Sequence, residues 1–227
     1  LNYFQLSASE KKPITVKKLV EVSGSTSAVI KTLIKNEIFE EYLLQQDRVS
    51  FTGEKSEKEL QLSEAQQKAF IEIKSNLEEK EVCLLHGVTS SGKTEIYIKL
   101  IEEYLVTGNQ ILYLLPEIAL TSQLINRLQK VFGNEVGVYH SKFNIHERVE
   151  IWNKVNSGQI KIVLGARSSL LLPFKNLGLI IADEEHDPSY KQQDPAPRYH
   201  ARDAAIYYAT LFNAKVLLGS ATPSIES

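Results

Sequence analysis

Apolar positions along the chain follow two rhythms. From residue 62 onward, short runs rich in leucine and β-branched residues alternate with longer stretches in which apolar positions recur every three or four residues. The runs are residues 82–86, 110–115, 135–139, 160–164, 177–182 and 215–218, some with a polar residue at an end and one with Lys161 inside it. Runs of this kind predict strands covered on both faces, as in a parallel sheet. The periodic stretches predict helices. One covers residues 64–77, capped by Ser63, with Ala69, Phe70 and Ile73 as its buried stripe. A second follows the first strand from about residue 95. A third carries Leu120, Leu124 and Leu128, and a fourth spans residues 145–155. Alternating strand and helix gives an α/β fold, a mainly parallel sheet with helices on both faces. Ligands of such sheets bind at the carboxyl ends of the strands.

Residues 1–52 read differently. A short apolar-faced helix follows Pro13. Ser23-Gly24-Ser25 reads as a turn, with Ser25 as an N-cap. A second helix over residues 26–36 places Val29, Ile30, Leu33 and Ile34 on one side. Residues 38–51 have strand-like stretches. Helix, tight turn, helix and hairpin make a small winged-helix pattern. Seven Lys/Arg against six Asp/Glu in this stretch leave its role open between DNA contact and protein docking or spacing. Residues 53–61 read as a linker, and residues 62–227 as the main lobe.

Bulk properties narrow the classes. The net charge of −2 announces no polyanion partner, so any nucleic-acid site must be a local patch. The one cysteine, Cys83, excludes a disulfide framework or a cysteine-rich zinc site within the chain, and reads as a buried thiol. It suits a reducing cytoplasm. No apolar run approaches the ~20 residues of a membrane span, and no signal peptide opens the chain. With no Met, not even at position 1, the sequence reads as a piece of a longer protein or as one whose methionines were recorded otherwise.

The chemistry lies where strands end. Residues 87–94 read GVTSSGKT, the G-x-x-x-x-G-K-T spacing of a phosphate-binding P-loop. Gly87 and Gly92 permit the bend. The amides of the turn, through Thr89, Ser90, Ser91 and on to Glu95, then face a phosphate at a helix N-terminus. Lys93 is expected at the β- and γ-phosphates of ATP, and the Thr94 hydroxyl on Mg²⁺. Asp183 and Glu184 end an apolar run at the place of the metal-binding acid: Asp183 to hold Mg²⁺, Glu184 to orient and deprotonate the attacking water. Glu185 reads as a packing or surface charge. Ser220 and Thr222 follow another strand and can hydrogen-bond the acidic cluster, registering the γ-phosphate. Gln66 alone is either an exposed helical residue or a reader of adenine. Residues 187–202 hold Tyr190, Lys191, Arg198, Tyr199, His200 and Arg202, and read as too polar and Pro-rich for core. Aromatics among cations suit stacking on unpaired bases; a surface loop is the alternative.

GVTSSGKT, DEEH and GSATPS together resemble motifs I, II and III of superfamily 2 helicases. LLPEIALTSQ (114–123), HSKFNIHER (140–148), residues 165–193 and PRYHARDAA (197–205) resemble, more narrowly, the primosomal protein N′ (PriA) family of replication-restart helicases. The resemblance implies a RecA-like P-loop NTPase lobe, with the winged-helix unit fitting the domain before it. It implies Gln66 as the adenine-reading residue, and Thr121, Arg167 and Ser168 facing the DNA backbone. Residues 187–202 would be an aromatic-rich loop linking DNA binding to hydrolysis. A second RecA-like lobe with an arginine finger, a zinc module and an amino-terminal DNA-end-binding domain would lie outside this chain. The implied protein is a bacterial, cytoplasmic, nucleoid-associated 3′-to-5′ helicase on forked and single-stranded DNA. Its partners would be primosome loading proteins and single-strand-binding protein. The isolated lobe would hydrolyse ATP hardly at all. The competing reading is a nucleotide-dependent DNA- or protein-binding scaffold without motor activity. A restriction or excision motor with a similar lobe is disfavoured by PRYHARDAA.

Overall fold

The computed structural model describes residues 16–36, 38–39, 60–88, 91–141 and 143–225. Two compact units divide the chain, Leu1–Gln46 and Asp47–Ser227. In the first, helices α1 (Val16–Ser23) and α2 (Ser27–Lys35) pack on each other, and α2 buries Ile30. Ser25 is not the cap. Thr26 holds the N-cap position with extended backbone and no side-chain bond, while the Ser25 amide donates to Ser23 Oγ at 3.3 Å. Val29 is exposed at the rim of the stripe that Ile30 centres, and Leu33 and Ile34 are half-buried. The expected hairpin and linker fall almost wholly outside the described residues.

The second unit is a six-stranded sheet, every pair parallel, in the order β1-β6-β5-β2-β4-β3. Its strands are β1 (Val82–His86), β2 (Gln110–Leu114), β3 (Val136–Tyr139), β4 (Ile162–Gly165), β5 (Leu177–Asp183) and β6 (Lys215–Ser220). Helices α3 (Glu64–Glu79), α4 (Lys93–Val106), α5 (Ser122–Phe132), α6 (Ile145–Ser157) and α7 (Ala201–Thr210) cover it. Strand periodicity divides the core. On β2, Ile111 and Tyr113 join Phe70, Ile73, Ile101 and Leu128 on one face, under α3, α4 and α5. Leu112 and Leu114 join Ile151, Val155, Ala205 and Val216 on the other, under α6 and α7. A parallel sheet sandwiched this way explains why β2, β4 and β6 read as apolar runs. Edge strand β1 departs from this: its Leu84 is exposed, and Cys83 is only half-buried, its thiol pKa pushed up by that burial.

Local chemistry sets the helix ends. Ser63 and Gln66 form a reciprocal capping box at the start of α3, with the Ser63 amide 2.8 Å from Gln66 Oε1. Asn144 and Glu147 form another on α6. Leu120 lies before α5, not in it, because Thr121 is that helix's N-cap and accepts from the Leu124 amide. Helix α7 begins inside the stretch read as a polar loop.

Candidate nucleotide site

Strand order brings three distant segments together. β1 ends at His86, β6 at Ser220 and β5 at Asp183, side by side at the carboxyl edge. The Gly87 amide donates to Ser220 O at 3.0 Å, and the Glu185 amide to Gly219 O at 3.1 Å. The turn of the P-loop, the acidic cluster and the GSATPS segment are thus stitched by backbone bonds. Thr89 and Ser90 lie outside the described residues.

A cavity of about 340 Å³ opens there, lined by Gly92, Lys93, Thr94, Glu95, Arg127, Asp183 and Glu184. Gly92 holds a left-handed φ of 85°, and a β-carbon on it would strike the Gln66 side chain. Lys93, only 8% exposed, donates to Gly87 O at 2.9 Å and lies 3.8 Å from Glu184 Oε1. Its ammonium is therefore held at the mouth of the turn, poised against an acid it barely touches. Gln66 Nε2 donates to Gly92 O at 3.3 Å, so the candidate adenine reader stands beside the loop, its amide shared with its own helix cap.

Asp183 is more heavily constrained than any reading of the acids foresaw. Tyr97 donates to Oδ1 at 2.9 Å, the Glu184 amide to the same oxygen at 3.1 Å, and Tyr113 to Oδ2 at 3.3 Å. Tyr190 donates to the Asp183 carbonyl at 2.7 Å. Burial pushes the Asp183 carboxyl above its ordinary pKa, against the pull of the Tyr97 hydrogen bond; neighbouring Glu184 adds to the rise and Lys93 opposes it. Burial likewise pushes the Tyr97 and Tyr113 hydroxyls well up, with the adjacent Asp183 charge reinforcing it, so both remain donors. Sequence reading missed both tyrosines because they sit in apolar runs. Their one signal is position, near the loop on α4 and near the carboxyl end of β2.

The residues fit a bound Mg²⁺. Thr94 and Asp183 line one cavity, and among the described residues Asp183 Oδ2 has a single protein donor, leaving lone-pair capacity. Mg²⁺ asks for one or two protein oxygens, the rest of its shell being phosphate and water.

His186 Nδ1 and Ser220 Oγ share a hydrogen bond at 2.7 Å, and the Thr222 amide donates to Ser220 Oγ at 3.1 Å. Ser220 thus bonds the histidine that ends the DEEH run and not one of its acids, whereas Thr222 is exposed and joins through its backbone. Glu185 is fully buried, not at the surface. It accepts from Arg202 Nη1 at 2.9 Å and from the Ser224 amide at 2.9 Å. Arg202, read as part of a polar loop, is only 7% exposed on α7. Tyr190 is 1% exposed, so it does not offer a stacking face. A carbonyl partner for its hydroxyl and a carboxylate for the guanidinium make both burials affordable, which composition alone could not show.

Lys191 and Arg198 are exposed, while Tyr199 and His200 are half-buried. Lys191 and His200 pair across an isolated antiparallel bridge. Arg167 donates through Nη1 to Ser189 O at 3.1 Å and Lys191 O at 2.9 Å, so this cation fastens the 187–200 segment. Ser168 and Thr121 are exposed.

The DEAD/DEAH box helicase pattern matches residues 63–227. The chain belongs to the DEAD/DEAH box helicase family. It is 42% identical to the replication restart protein PriA of Bacillus subtilis, over 99% of this chain and 28% of that protein. It is 56% identical to PriA of Haemophilus influenzae, over 64% of this chain and 20% of that protein. The chain thus spans about a quarter of the length of these curated relatives. Among solved structures, RecG bound to a three-way DNA junction matches with a TM-score of 0.55 and 25% identity, over 73% of this chain and 22% of RecG. Among the described residues of this helicase-family chain, no helix is long and apolar enough to cross a membrane.

Proposed function

We propose that this chain is the ATP-binding lobe of a PriA-type replication-restart helicase. The observation that carries the reading is the meeting of Lys93, Asp183 and Glu184 around one cavity, at the ends of strands that are far apart in sequence. Phosphoryl transfer needs little covalent work from a protein; it needs positioning and charge.

Lys93 leaves its loose contact with Glu184 and takes the β- and γ-phosphate oxygens. The P-loop amides cradle the remainder at the start of α4. Thr94 and Asp183 hold the Mg²⁺, which when bound neutralises charge on the phosphates. Glu184, released from the ammonium and open to the cavity, orients the attacking water and accepts its proton. The Ser220–His186 bond then ties the reacting end to the segment after β6. Loss of the γ-phosphate is felt there as a change in which partners Glu184 and His186 hold.

Gln66 reads adenine by exchanging one of its present partners. The DNA path runs over Thr121, Ser168, Lys191, Arg198 and Tyr199, hydroxyls and cations suited to phosphate and, for the tyrosine, to base stacking. The whole protein moves 3′-to-5′ on forked and single-stranded DNA in the bacterial cytoplasm. It works with loading proteins and single-strand-binding protein, and needs a second lobe for full turnover.

Phosphate release from the full-length protein, measured with and without forked DNA, tests this reading. Strong stimulation by DNA is expected. Nucleotide uptake without DNA-stimulated release would instead favour a scaffold.

A further inference from the structure

Arg127 and Glu95 line the cavity, yet the reaction above uses neither side chain. The cavity must admit a polyanion, but its described lining sets three acids, Glu95, Asp183 and Glu184, against two cations, Lys93 and Arg127. Asp183 is matched to a metal ion, and Lys93 lies against Glu184. That leaves Glu95. It stands in the first turn of α4, directly after Gly92-Lys93-Thr94, where P-loop amides cradle the α- and β-phosphates. A carboxylate at that point repels the nucleotide unless a cation intervenes.

Arg127 projects from α5 and donates through Nη2 to Glu95 Oε1. A guanidinium offers five N–H donors in a planar fork, so one carboxylate does not exhaust it. The Arg127 side chain remains 42% exposed at the cavity. Both Gln66 Nε2 and Glu95 Oε2 lie within 3.2 Å of the point a Gly92 β-carbon would occupy, so the pair shares one side of the loop with the candidate adenine reader.

We propose that Arg127 is a nucleotide-binding residue. Anchored by Glu95, it turns its remaining donors onto the α-phosphate of a bound nucleoside di- or triphosphate and screens that phosphate from the acid. The proposal rests on the nucleotide reading above. It differs from the role of Lys93 in one respect: the α-phosphate is common to ATP and ADP, so the contact serves binding of both and not the chemical step.

Calorimetric titration of the chain with Mg·ATP and Mg·ADP tests it, on wild type, Arg127→Ala, Arg127→Lys and Arg127→Ala/Glu95→Gln. Arg127→Ala is expected to weaken both nucleotides alike, by about tenfold, the scale of a charge-assisted hydrogen bond. Arg127→Lys keeps the charge without the fork and should lose less. The double variant should recover part of the loss, because the stranded acid is gone. Unchanged binding by Arg127→Ala overturns the proposal, as does a loss confined to ATP, which would place Arg127 at the γ-phosphate. If wild type takes up neither nucleotide, the nucleotide reading itself fails, which is a different result from a silent variant.

Discussion

Two neighbouring acids end in opposite circumstances. Glu184 lies 3.8 Å from Lys93, its side chain about one-third exposed, while Glu185 lies 2.9 Å from Arg202 and is fully buried. The backbone forces the divergence. Glu184 takes a left-handed φ of 49°, uncommon outside glycine, and the Glu185 amide is fixed on Gly219 O. One acid therefore faces the cavity and the next faces the core. The first pair is long and open to the cavity on its Glu184 side, so exchanging that acid for a phosphate costs little. The second is tight, dry and bonded to Ser224 as well, so breaking it strands a charge. The first is built to change partners and the second to hold the turn that presents it.

The largest effect should come from the loose pair. Lys93→Ala in the full-length protein should cut ATP turnover by about 10³-fold, the scale of losing a preorganised charge at the reacting phosphate. Fork binding should change little, and stability to urea should fall by no more than about 1 kcal/mol, the scale of the hydrogen bond to Gly87 O that goes with the loose ion pair. Phosphate release at wild-type rate would remove Lys93 from the mechanism.

The tight pair should answer in the opposite currency. Arg202→Ala should cost about 3 kcal/mol of stability by leaving the buried Glu185 without its guanidinium. For a domain of this size that is a fall in melting temperature of roughly 6–12 °C. Arg202→Met with Glu185→Leu should recover much of the loss, since neither charge is then stranded. A double variant no more stable than the single would mean that packing, and not charge, holds α7 in place.

This contrast also marks what the sequence could disclose. The P-loop, the acidic cluster and the six strands were legible because each has a local pattern, a fixed spacing or an apolar run. Gln66 carried only a cue that the capping box and the contact with Gly92 O now explain. Residues 187–202 misled. Tyr190 and Arg202 look like surface chemistry, and Pro195 and Pro197 hide the approach to α7. Their burial depends on partners 7 and 17 residues away, Asp183 O and Glu185, which no local rhythm encodes. Tyr97 and Tyr113 misled the other way. Their rings belong to the core, meeting edge-on at 5.5 Å, but their hydroxyls belong to the site. Periodicity records the ring and is silent about the oxygen.

A third variant tests how tightly the two pairs share a foundation. Gly219 sits where the amide of Glu185 is anchored, and a β-carbon on it would fall 1.8 Å from Tyr97 Oη. Gly219→Ala should therefore push the Tyr97 hydroxyl off Asp183 and disturb both acids together, at a cost of about 2 kcal/mol. Denaturation and ATP turnover should both be impaired in this one variant, unlike Lys93→Ala or Arg202→Ala, each of which weighs on one readout.

The smallest effect isolates the hydroxyl. Tyr97→Phe keeps the ring against Tyr113 and removes one donor from Asp183 Oδ1, which retains the Glu184 amide. The loss of stability should be about 1 kcal/mol, since a carboxylate at the cavity rim can recruit water in place of the missing hydroxyl. The more telling readout is pH. Burial already holds the Asp183 carboxyl above its ordinary pKa, and the Tyr97 hydrogen bond is the strongest influence opposing that rise. Asp183 must be ionised to hold a cation, so activity is lost as pH falls through its pKa. Removing the donor raises that pKa further, and the acid limb of the turnover profile should move to higher pH. Tyr113→Phe, whose bond to Oδ2 is longer at 3.3 Å, should move the limb the same way by less. A shift toward lower pH in either variant would mean that the hydroxyls do not stabilise the ionised acid. The role of Asp183 would then have to be argued from its burial alone.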